Sequence, residues 1–495
     1  MDFGEFLNRF GLKSFPFNTF TTEDEKQAGS LFVEPIDYTL IKDAFRESRT
    51  IIMSGNRGTG KTAIIYDLIR NSKENSLICY IDDYSSIKIK SELQDFYEMI
   101  ASQLVNTLVG KCITKQKEIS HLSKEDKVFF SYLFSKFVTS VTKERINEEI
   151  EKIQLSQIRR TLKKGSAFIR FCLNYGLTAA SKLINSTISS HFYMLPTINE
   201  NEVKDILPEL KFSVDNHFID LETSYSFILR ICTLITRLNF TNITIFLDKI
   251  DEDSRFINDS EVISDFIAPL LTDNKLLLNP SIQIYISIWA VPFNMLKDNV
   301  RTQKYYCPSL TWKNDDLIKA FNRRIEVYSE TSGRKFDEFF DMDVTEVDKN
   351  LILHLANHNP RDLWHIFNNL FHEQYAIDST TLKITKDAIT RGLKNFVSSF
   401  NFYEYYPRKK GSRSDSMDVY KYINHLLKLS DTEFTANQLN EEAGTGGSTS
   451  NYLAGMQGIG LVYRTDKKRS AGVVYKIADP KIEYALKENI KIARI

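Results

Sequence analysis

The sequence predicts an α/β protein: a parallel sheet flanked by helices, interrupted and followed by helical segments, and ended by a small domain of helices and a hairpin. Three observations predict it. An apolar run, Ile51 to Met53, leads through Gly55-x-x-x-x-Gly60-Lys61-Thr62 into helical periodicity at Ile64, Ile65, Leu68 and Ile69, which reads as strand, loop, helix. Further apolar runs, LICYIDDY at Leu77 to Tyr84, Ile243 to Leu247 and SIQIYISIW at Ser281 to Trp289, alternate with helical text, as strands buried on both faces of a parallel sheet do. Between Lys124 and Lys164 there is neither Pro nor Gly and the apolar residues recur at helical intervals, so helices are inserted between strands.

Composition bounds the rest. A chain of 495 residues is expected to form two to four packed units. With 42% hydrophobic and 26% charged residues, and only 19 Gly and 11 Pro, it is neither collagen-like nor of low complexity. Lys plus Arg and Asp plus Glu both number 64, so any nucleic-acid site must be a local patch. Cys79, Cys112, Cys172, Cys232 and Cys307 lie at least 33 residues apart, which argues against a disulfide framework or zinc knuckle and for a reducing, cytoplasmic setting. The first residues, MDFGEFLNRFGLKSF, lack the basic start and apolar run of a secretory signal. The stretch from Ala167 to Leu195 is the most apolar, but Arg170 and Lys182 interrupt it, so a buried helical hairpin is expected rather than a membrane span.

The glycines after the first strand allow the backbone to curl until several N–H groups point inward, and the helix N-terminus adds partial positive charge. That is a cradle for a nucleotide phosphate. Gly55, Asn56, Arg57, Gly58, Thr59, Gly60, Lys61, Thr62 and Ala63 are therefore the expected ATP-binding residues, with Lys61 on the β- and γ-phosphates and the Thr62 hydroxyl on Mg2+. Such a loop needs an acid at the end of a buried strand to hold the metal. In ITIFLDKIDE, residues 243 to 252, four apolar residues precede Asp248, the expected second metal residue, with Asp251 and Glu252 just after it.

Taken together, GNRGTGKT, FLDKIDE, the strand IQIYISIW, the run LTWKNDDLIKAFNRRI at Leu310 to Ile325 and NPRDLW at Asn359 to Trp364 resemble bacterial P-loop ATPases of the AAA+ and STAND group. The resemblance covers roughly residues 30 to 400. It implies a helical lid after the sheet, a polar residue near the end of the fourth strand, for which Ser287 is the nearest equivalent, and a lid arginine on the nucleotide, for which Arg361 is the match. Asn359-Pro360 reads equally as a helix start with Arg361 in its first turn. Arg323 or Arg324 reads either as an arginine finger acting across an oligomer or as a surface ion-pairing residue; at least one of the two is expected to be exposed.

The chain also departs from that group. Where its ATPases place a glutamate directly after the magnesium aspartate, to polarise the attacking water, this chain has Lys249, so binding is expected and turnover is in question. Asp251 or Glu252 would have to take over. The 187 residues from Lys61 to Asp248 exceed what a compact sheet needs, which places a projecting helical insertion at 92–208; within it Arg159, Arg160, Lys163 and Lys164 read as a solvated helix end.

The expected order is an N-terminal segment and first part of the P-loop core at 1–91, with the segment packing on the sheet, then the insertion at 92–208. The second part of the core follows at 209–310, a helical lid at 311–400, a Tyr-rich linker at 401–415 and a C-terminal domain at 416–495. That last domain, three helices and a hairpin, resembles a winged helix-turn-helix. Arg464, Lys467, Lys468 and Arg469 in its wing would meet double-stranded DNA; alternatively the domain packs on the nucleotide domain and locks it. The implied function is an ATP-dependent switch that assembles as a homo-oligomer or engages an effector protein, in defence against phage or in DNA transactions. The alternatives are a nucleotide-gated scaffold without hydrolysis and a DNA-loading motor.

Overall fold

The computed structural model describes residues 2–112, 115–137, 195, 220–330, 333–408, 417–469 and 472–494. The basic cluster at 159–164, Cys172 and all but the last residue of the apolar stretch at 167–195 lie outside them. No helix among the described residues is long and apolar enough to cross a membrane.

Helices α1 (Phe3–Arg9) and α2 (Tyr38–Arg46) precede β1 (Ile51–Gly55), α3 (Lys61–Arg70) and β2 (Ser76–Ile81). Then come α4 (Leu93–Cys112), α5 (Lys124–Phe137), α6 (Leu221–Arg237), β3 (Asn242–Leu247), α7 (Ser260–Leu271), β4 (Gln283–Trp289) and β5 (Ser309–Leu310). The five strands run parallel in the order β2-β3-β4-β1-β5. All residues of β1 and β4 are buried, as their unbroken apolar text requires of strands covered on both faces. One face carries α4, α6 and α7; the other carries α2 and α3, with Tyr38, Ile41, Ala44, Ile64, Ile65 and Leu68 packed on Ile51, Met53, Phe246 and Tyr285. Because β4 lies between β1 and β3, the loops leaving β1 and β3 flank a cleft at the carboxyl edge of the sheet, where open parallel sheets bind ligands.

Two segments lie elsewhere than expected. Helix α4, the start of the region read as a projecting insertion, belongs to the core: Phe96, Ile100, Leu104, Val105 and Leu108 are buried in the same cluster as Leu77, Ile245 and Ile284 of the strands. Its apolar residues serve the sheet; the charged text that suggested a projection lies downstream of it, from Lys124 onward. The N-terminal segment packs on the lid rather than on the sheet. Phe6, Phe10 and Phe17 of that segment join Phe321, Phe339, Phe367 and Phe371 in one aromatic cluster.

The lid comprises α8 (Asn314–Tyr328), α9 (Glu346–Leu355), α10 (Pro360–Ile377) and α11 (Lys386–Ser398). The C-terminal unit comprises α12 (Val419–Leu426), β6 (Glu433–Thr435), α13 (Ala436–Ala443), α14 (Thr449–Gly458), β7 (Val462–Arg469), β8 (Gly472–Ile477) and α15 (Pro480–Lys487). Its antiparallel sheet has the order β6-β8-β7, one short strand more than the hairpin read from sequence. Lid and C-terminal unit share a single hydrophobic core that includes Leu363, Phe396, Phe402, Val419, Leu426 and Ile482. The described part of the expected linker, 401–408, is folded into that core, with Phe402, Tyr403, Tyr405 and Tyr406 all buried.

The N-terminal segment is held on the lid by a buried ion pair. Arg324, 8% exposed, meets Glu25 at 2.6 Å and also donates to the carbonyls of Pro16 and Thr19, while the Tyr328 hydroxyl donates to Glu25. Nearby, His365 stacks on Phe20 with ring centroids 3.8 Å apart. Burial, with Arg361 adding to it, pushes the His365 imidazole down to about 4. The unfolded chain would protonate this histidine near pH 6.5 while the fold resists it, so stability is full above that value and declines as the pH falls toward about 4. The expected loss over that window is roughly 2–3 kcal/mol. Urea unfolding of wild type and His365→Gln at pH 7.5 and 4.5 checks it: the acid penalty should be smaller in the variant by that amount.

Candidate functional site

Loop 55–62 begins at the buried end of β1 and runs into α3. Two of its glycines have backbone conformations that side chains resist. Gly60, at φ 90°, is the N-cap of α3; Gly58, at φ 81°, presses so close to the lid that a Cβ there would lie 2.7 Å from Asn359 Oδ1 and 2.8 Å from Arg361 Cβ. Lys61 Nζ folds back on the loop, donating to the carbonyls of Gly55 at 3.1 Å and Asn56 at 3.0 Å. Burial lowers the Lys61 pKa and the nearby Arg57 and Arg361 lower it further, while Asp251 and Asp248 oppose them. The ammonium thus has no carboxylate partner of its own and is the natural cation for an incoming phosphate.

The two expected metal residues meet across 186 residues of sequence: Thr62 Oγ1 donates to Asp248 Oδ2 at 2.7 Å. Asp248 is 2% exposed and is steadied by the hydroxyls of Tyr80, at 3.1 Å to Oδ2, and Tyr84, at 3.0 Å to its carbonyl. A hydroxyl and a carboxylate brought together at the start of α3 are hard oxygen donors suited to Mg2+, so the residues present fit the ion.

Asp251 and Glu252 have different surroundings. Asp251 is buried and tied to Arg57, whose Nε contacts its carboxylate at 2.6 Å and whose Nη2 donates to its carbonyl at 2.8 Å. Arg57 also lies over the Trp289 ring at 4.5 Å. Glu252 remains open to solvent at the cleft, yet desolvation by the surrounding walls and the neighbouring Asp251 raise its pKa, with Lys249 opposing. Lys249 sits in the left-handed region at φ 56° and pairs with Glu23 of the N-terminal segment at 2.7 Å, and more loosely with Asp82 at 3.7 Å. Burial acts to lower the Lys249 pKa, but the hydrogen bond and charge of Glu23, with Glu252 and Asp82, raise it overall, so this side chain is a cation.

These groups line one cavity of about 370 Å3. Of the expected residues, Arg57, Gly58, Gly60, Lys61, Thr62, Ala63, Asp248, Asp251, Glu252 and Arg361 are on its wall. Gly55, Asn56 and Thr59 shape the loop from behind: Asn56 O accepts from Thr59 Oγ1 at 2.8 Å, and Thr59 O accepts from Trp312 Nε1 at 2.8 Å. Arg361 reaches Glu404 only at 3.5 Å and keeps a buried Nε without a partner, which leaves its guanidinium available to a ligand. Ser287 is buried, its hydroxyl makes no hydrogen bond among the described residues, and it is not on the cavity wall. Arg324 lines the cavity but is buried and consumed by Glu25, so an arginine finger in trans does not fit it; Arg323 is the more exposed of the two and binds Ser30 O at 2.6 Å and Glu326 at 2.8 Å.

Sequence reasoning missed the roof and the back of the site. Residues 19–25 and 31–33 of the N-terminal segment cover the cavity, and Trp312 and Trp364 complete its apolar wall. It also missed a polar chain leading away. Asn359 Nδ2 donates to Arg57 O at 2.7 Å and to the Tyr405 hydroxyl at 2.6 Å; Tyr405 donates to Asp362 at 2.8 Å; and Lys481, fully buried on α15, meets Asp362 at 2.9 Å. Beside it, Arg57 Nη1 donates to Tyr403 O at 3.4 Å. The three tyrosines each bind a carboxylate at the start of a helix: Tyr403 takes Asp418, the N-cap of α12, at 2.6 Å; Tyr405 takes Asp362 in the first turn of α10; Tyr406 takes Asp479, the N-cap of α15, at 2.9 Å. The run F-Y-E-Y-Y, apolar rings at nearly every position, was the available signal.

In the C-terminal unit Arg464 and Lys468 are exposed on β7, whereas Lys467 pairs with Glu433 at 2.8 Å; Arg469 ends the strand. Ser448, Ser450 and Asn451 are exposed at the start of α14, with Thr449 partly covered.

No family model matches the chain, and no curated protein matches it. Among solved structures it is similar to the Aeropyrum pernix ORC2 protein in its ADPNP–ADP complexes, at 10% identity and TM-score 0.40, covering 94% of this chain and 98% of that one. The ADP form of the same protein gives 9% identity and TM-score 0.35, with 92% and 91% covered. Drosophila ORC bound to DNA gives 9% identity and TM-score 0.29, with 98% and 91% covered. The functional reading rests on the geometry of the site itself.

Proposed function

We propose that the chain is an ATP- and Mg2+-binding molecular switch of the AAA+ and STAND type, in which the occupancy of the P-loop cavity sets the disposition of a C-terminal winged helix toward DNA or an effector protein. The observation that carries this reading is the connection of Arg57, in the middle of the loop, to both the lid and the C-terminal unit through Asn359, Tyr403 and Tyr405. A phosphate seated against the loop backbone acts directly on Arg57 and Gly58, which touch Asn359 and Arg361. One end of this buried polar network would then meet the ligand, and the other ends at Lys481.

Lys61 and the loop amides would hold the phosphates, Arg361 would approach from the lid, and Thr62 with Asp248 would hold Mg2+, which would supply charge neutralisation of the phosphates. For turnover, Glu252 is better suited than Asp251 as the group that orients water. Asp251 would have to surrender Arg57, whereas Glu252 is open at the cleft and its raised pKa moves toward the range in which a carboxylate works as a general base. A second reading, a nucleotide-gated scaffold that holds ATP without consuming it, is favoured by Lys249 standing as a paired cation beside Asp248.

Steady-state turnover of purified protein, with and without double-stranded DNA, separates the two. Under the switch reading with hydrolysis, Glu252→Gln lowers turnover by about 10²-fold while nucleotide still binds. Binding without any turnover in wild type selects the scaffold. Binding to duplex DNA through Arg464, Lys467, Lys468 and Arg469 should weaken steeply with salt; absence of such binding removes the DNA branch.

A further inference from the structure

Lys249 takes no part in the scheme above, yet several features hold it in the cavity. It follows Asp248 at the carboxyl end of β3, and its backbone is left-handed, at φ 56°, an unfavourable conformation for a long side chain that persists where surrounding structure demands it. Its carbonyl accepts from the Glu252 amide at 3.0 Å, closing the turn that creates this conformation. The side chain is only 22% exposed, and its ammonium is held by Glu23 at 2.7 Å. Glu23 is held in turn, because Glu25, two residues on, is locked to Arg324 in the buried pair at 2.6 Å.

The charge inventory of the wall assigns a task to this arrangement. Arg57 is matched by Asp251 and Arg324 by Glu25, whereas Lys61 contacts carbonyls alone and Arg361, on the lid side, reaches Glu404 only at 3.5 Å. Lys61 would serve the β- and γ-phosphates and Thr62 with Asp248 would hold Mg2+ beside them, so the terminal end of the phosphate chain would lie on the Asp248 side of the cavity. Lys249 is the next residue in the chain. An ammonium has three N–H donors, and one bond to Glu23 leaves two for phosphate oxygens.

We propose that Lys249 determines triphosphate over diphosphate specificity by binding the γ-phosphate, and that Glu23 of the N-terminal segment is the positioning residue that holds its ammonium in place. This rests on the reading of the cavity as a nucleotide site. It accounts for a cation where a water-polarising carboxylate was expected: the position is spent on recognising the terminal phosphate. It also gives the N-terminal roof a part in ligand recognition.

The test is calorimetric affinity for ADP and for the slowly hydrolysed ATPγS, both with Mg2+, in wild type, Lys249→Met, Lys249→Gln, Lys249→Arg and Glu23→Gln. The ratio of the ADP to the ATPγS dissociation constant should fall on the order of tenfold in Lys249→Met and Lys249→Gln. It should stay within about threefold of wild type in Lys249→Arg, which keeps the charge, and take an intermediate value in Glu23→Gln. A merely structural role would weaken both nucleotides together and leave the ratio alone. An unchanged ratio in Lys249→Gln or Lys249→Met overturns the assignment; an unchanged ratio in Glu23→Gln alone overturns the part given to Glu23. Wild-type protein that binds neither nucleotide would instead bring down the nucleotide-site reading itself.

Discussion

Asp362→Ala is expected to destabilise the lid and C-terminal unit by about 3–5 kcal/mol, the cost of breaking a buried ion pair and leaving one charge behind. The charge left behind is Lys481, fully buried on α15, whose ammonium lies 2.9 Å from Asp362 and over the rings of Phe400 and Tyr405 at 4.4 and 4.5 Å. Burial raises the Asp362 pKa, and Lys481 and the Tyr405 hydroxyl hold it down, so the carboxylate and its two partners stabilise each other. Removing the carboxylate also orphans the Tyr405 hydroxyl, which donates to it at 2.8 Å. Urea or thermal unfolding followed through the C-terminal unit measures the loss. The double variant Asp362→Ala/Lys481→Met should recover most of it, because no uncompensated charge remains. If the single variant costs less than about 1 kcal/mol, the pair is not closed to water as described.

Lys61→Ala is expected to weaken ATP binding by about 100-fold or more, since charge-assisted contacts to phosphate are among the strongest a side chain makes. The fold should tolerate the change. Lys61 makes only two hydrogen bonds, to the carbonyls of Gly55 and Asn56, both in its own loop, and its burial already disfavours the charged form. Isothermal titration and an unfolding curve on the same preparation separate these effects: affinity should collapse while the transition midpoint moves by less than about 1 kcal/mol equivalent. Asp248→Ala should instead make binding insensitive to Mg2+, because Thr62 would lose the carboxylate it now meets at 2.7 Å.

The glycine-bearing loop at 55–62 and the acid at the end of β3 were legible in the sequence because their signals are local. Apolar runs that must be strands, glycines at fixed offsets and an acid after four apolar residues each fit within about ten residues. That Asp251 would be taken up by Arg57 was not legible, since the two are 194 residues apart and meet only once β4 has separated β1 from β3. Tyr403 to Tyr406 read as a linker because a basic, Gly- and Ser-bearing stretch follows them; only the shared core of lid and C-terminal unit reveals that each ring carries its hydroxyl to a helix-start carboxylate. The pairings of Glu23 and Glu25 in TTEDEKQ were not legible, since their partners Lys249 and Arg324 are more than 200 residues downstream. Helix α4 was assigned to an insertion on the strength of its neighbours, although its own buried residues belong with β2 and β3.

The central claim is that the P-loop cavity and the C-terminal unit are energetically coupled through Asn359, Tyr405 and Asp362. The most direct measurement is amide hydrogen exchange across residues 419–487, with and without ATPγS and Mg2+, in wild type and Tyr405→Phe. Nucleotide is expected to slow exchange there on the order of tenfold in wild type, within the usual ~1–3 kcal/mol of site-to-site coupling, and the slowing is expected to be lost in Tyr405→Phe although nucleotide still binds. Protection confined to the loop around Lys61, with 419–487 exchanging alike in both states of the wild-type protein, would contradict it.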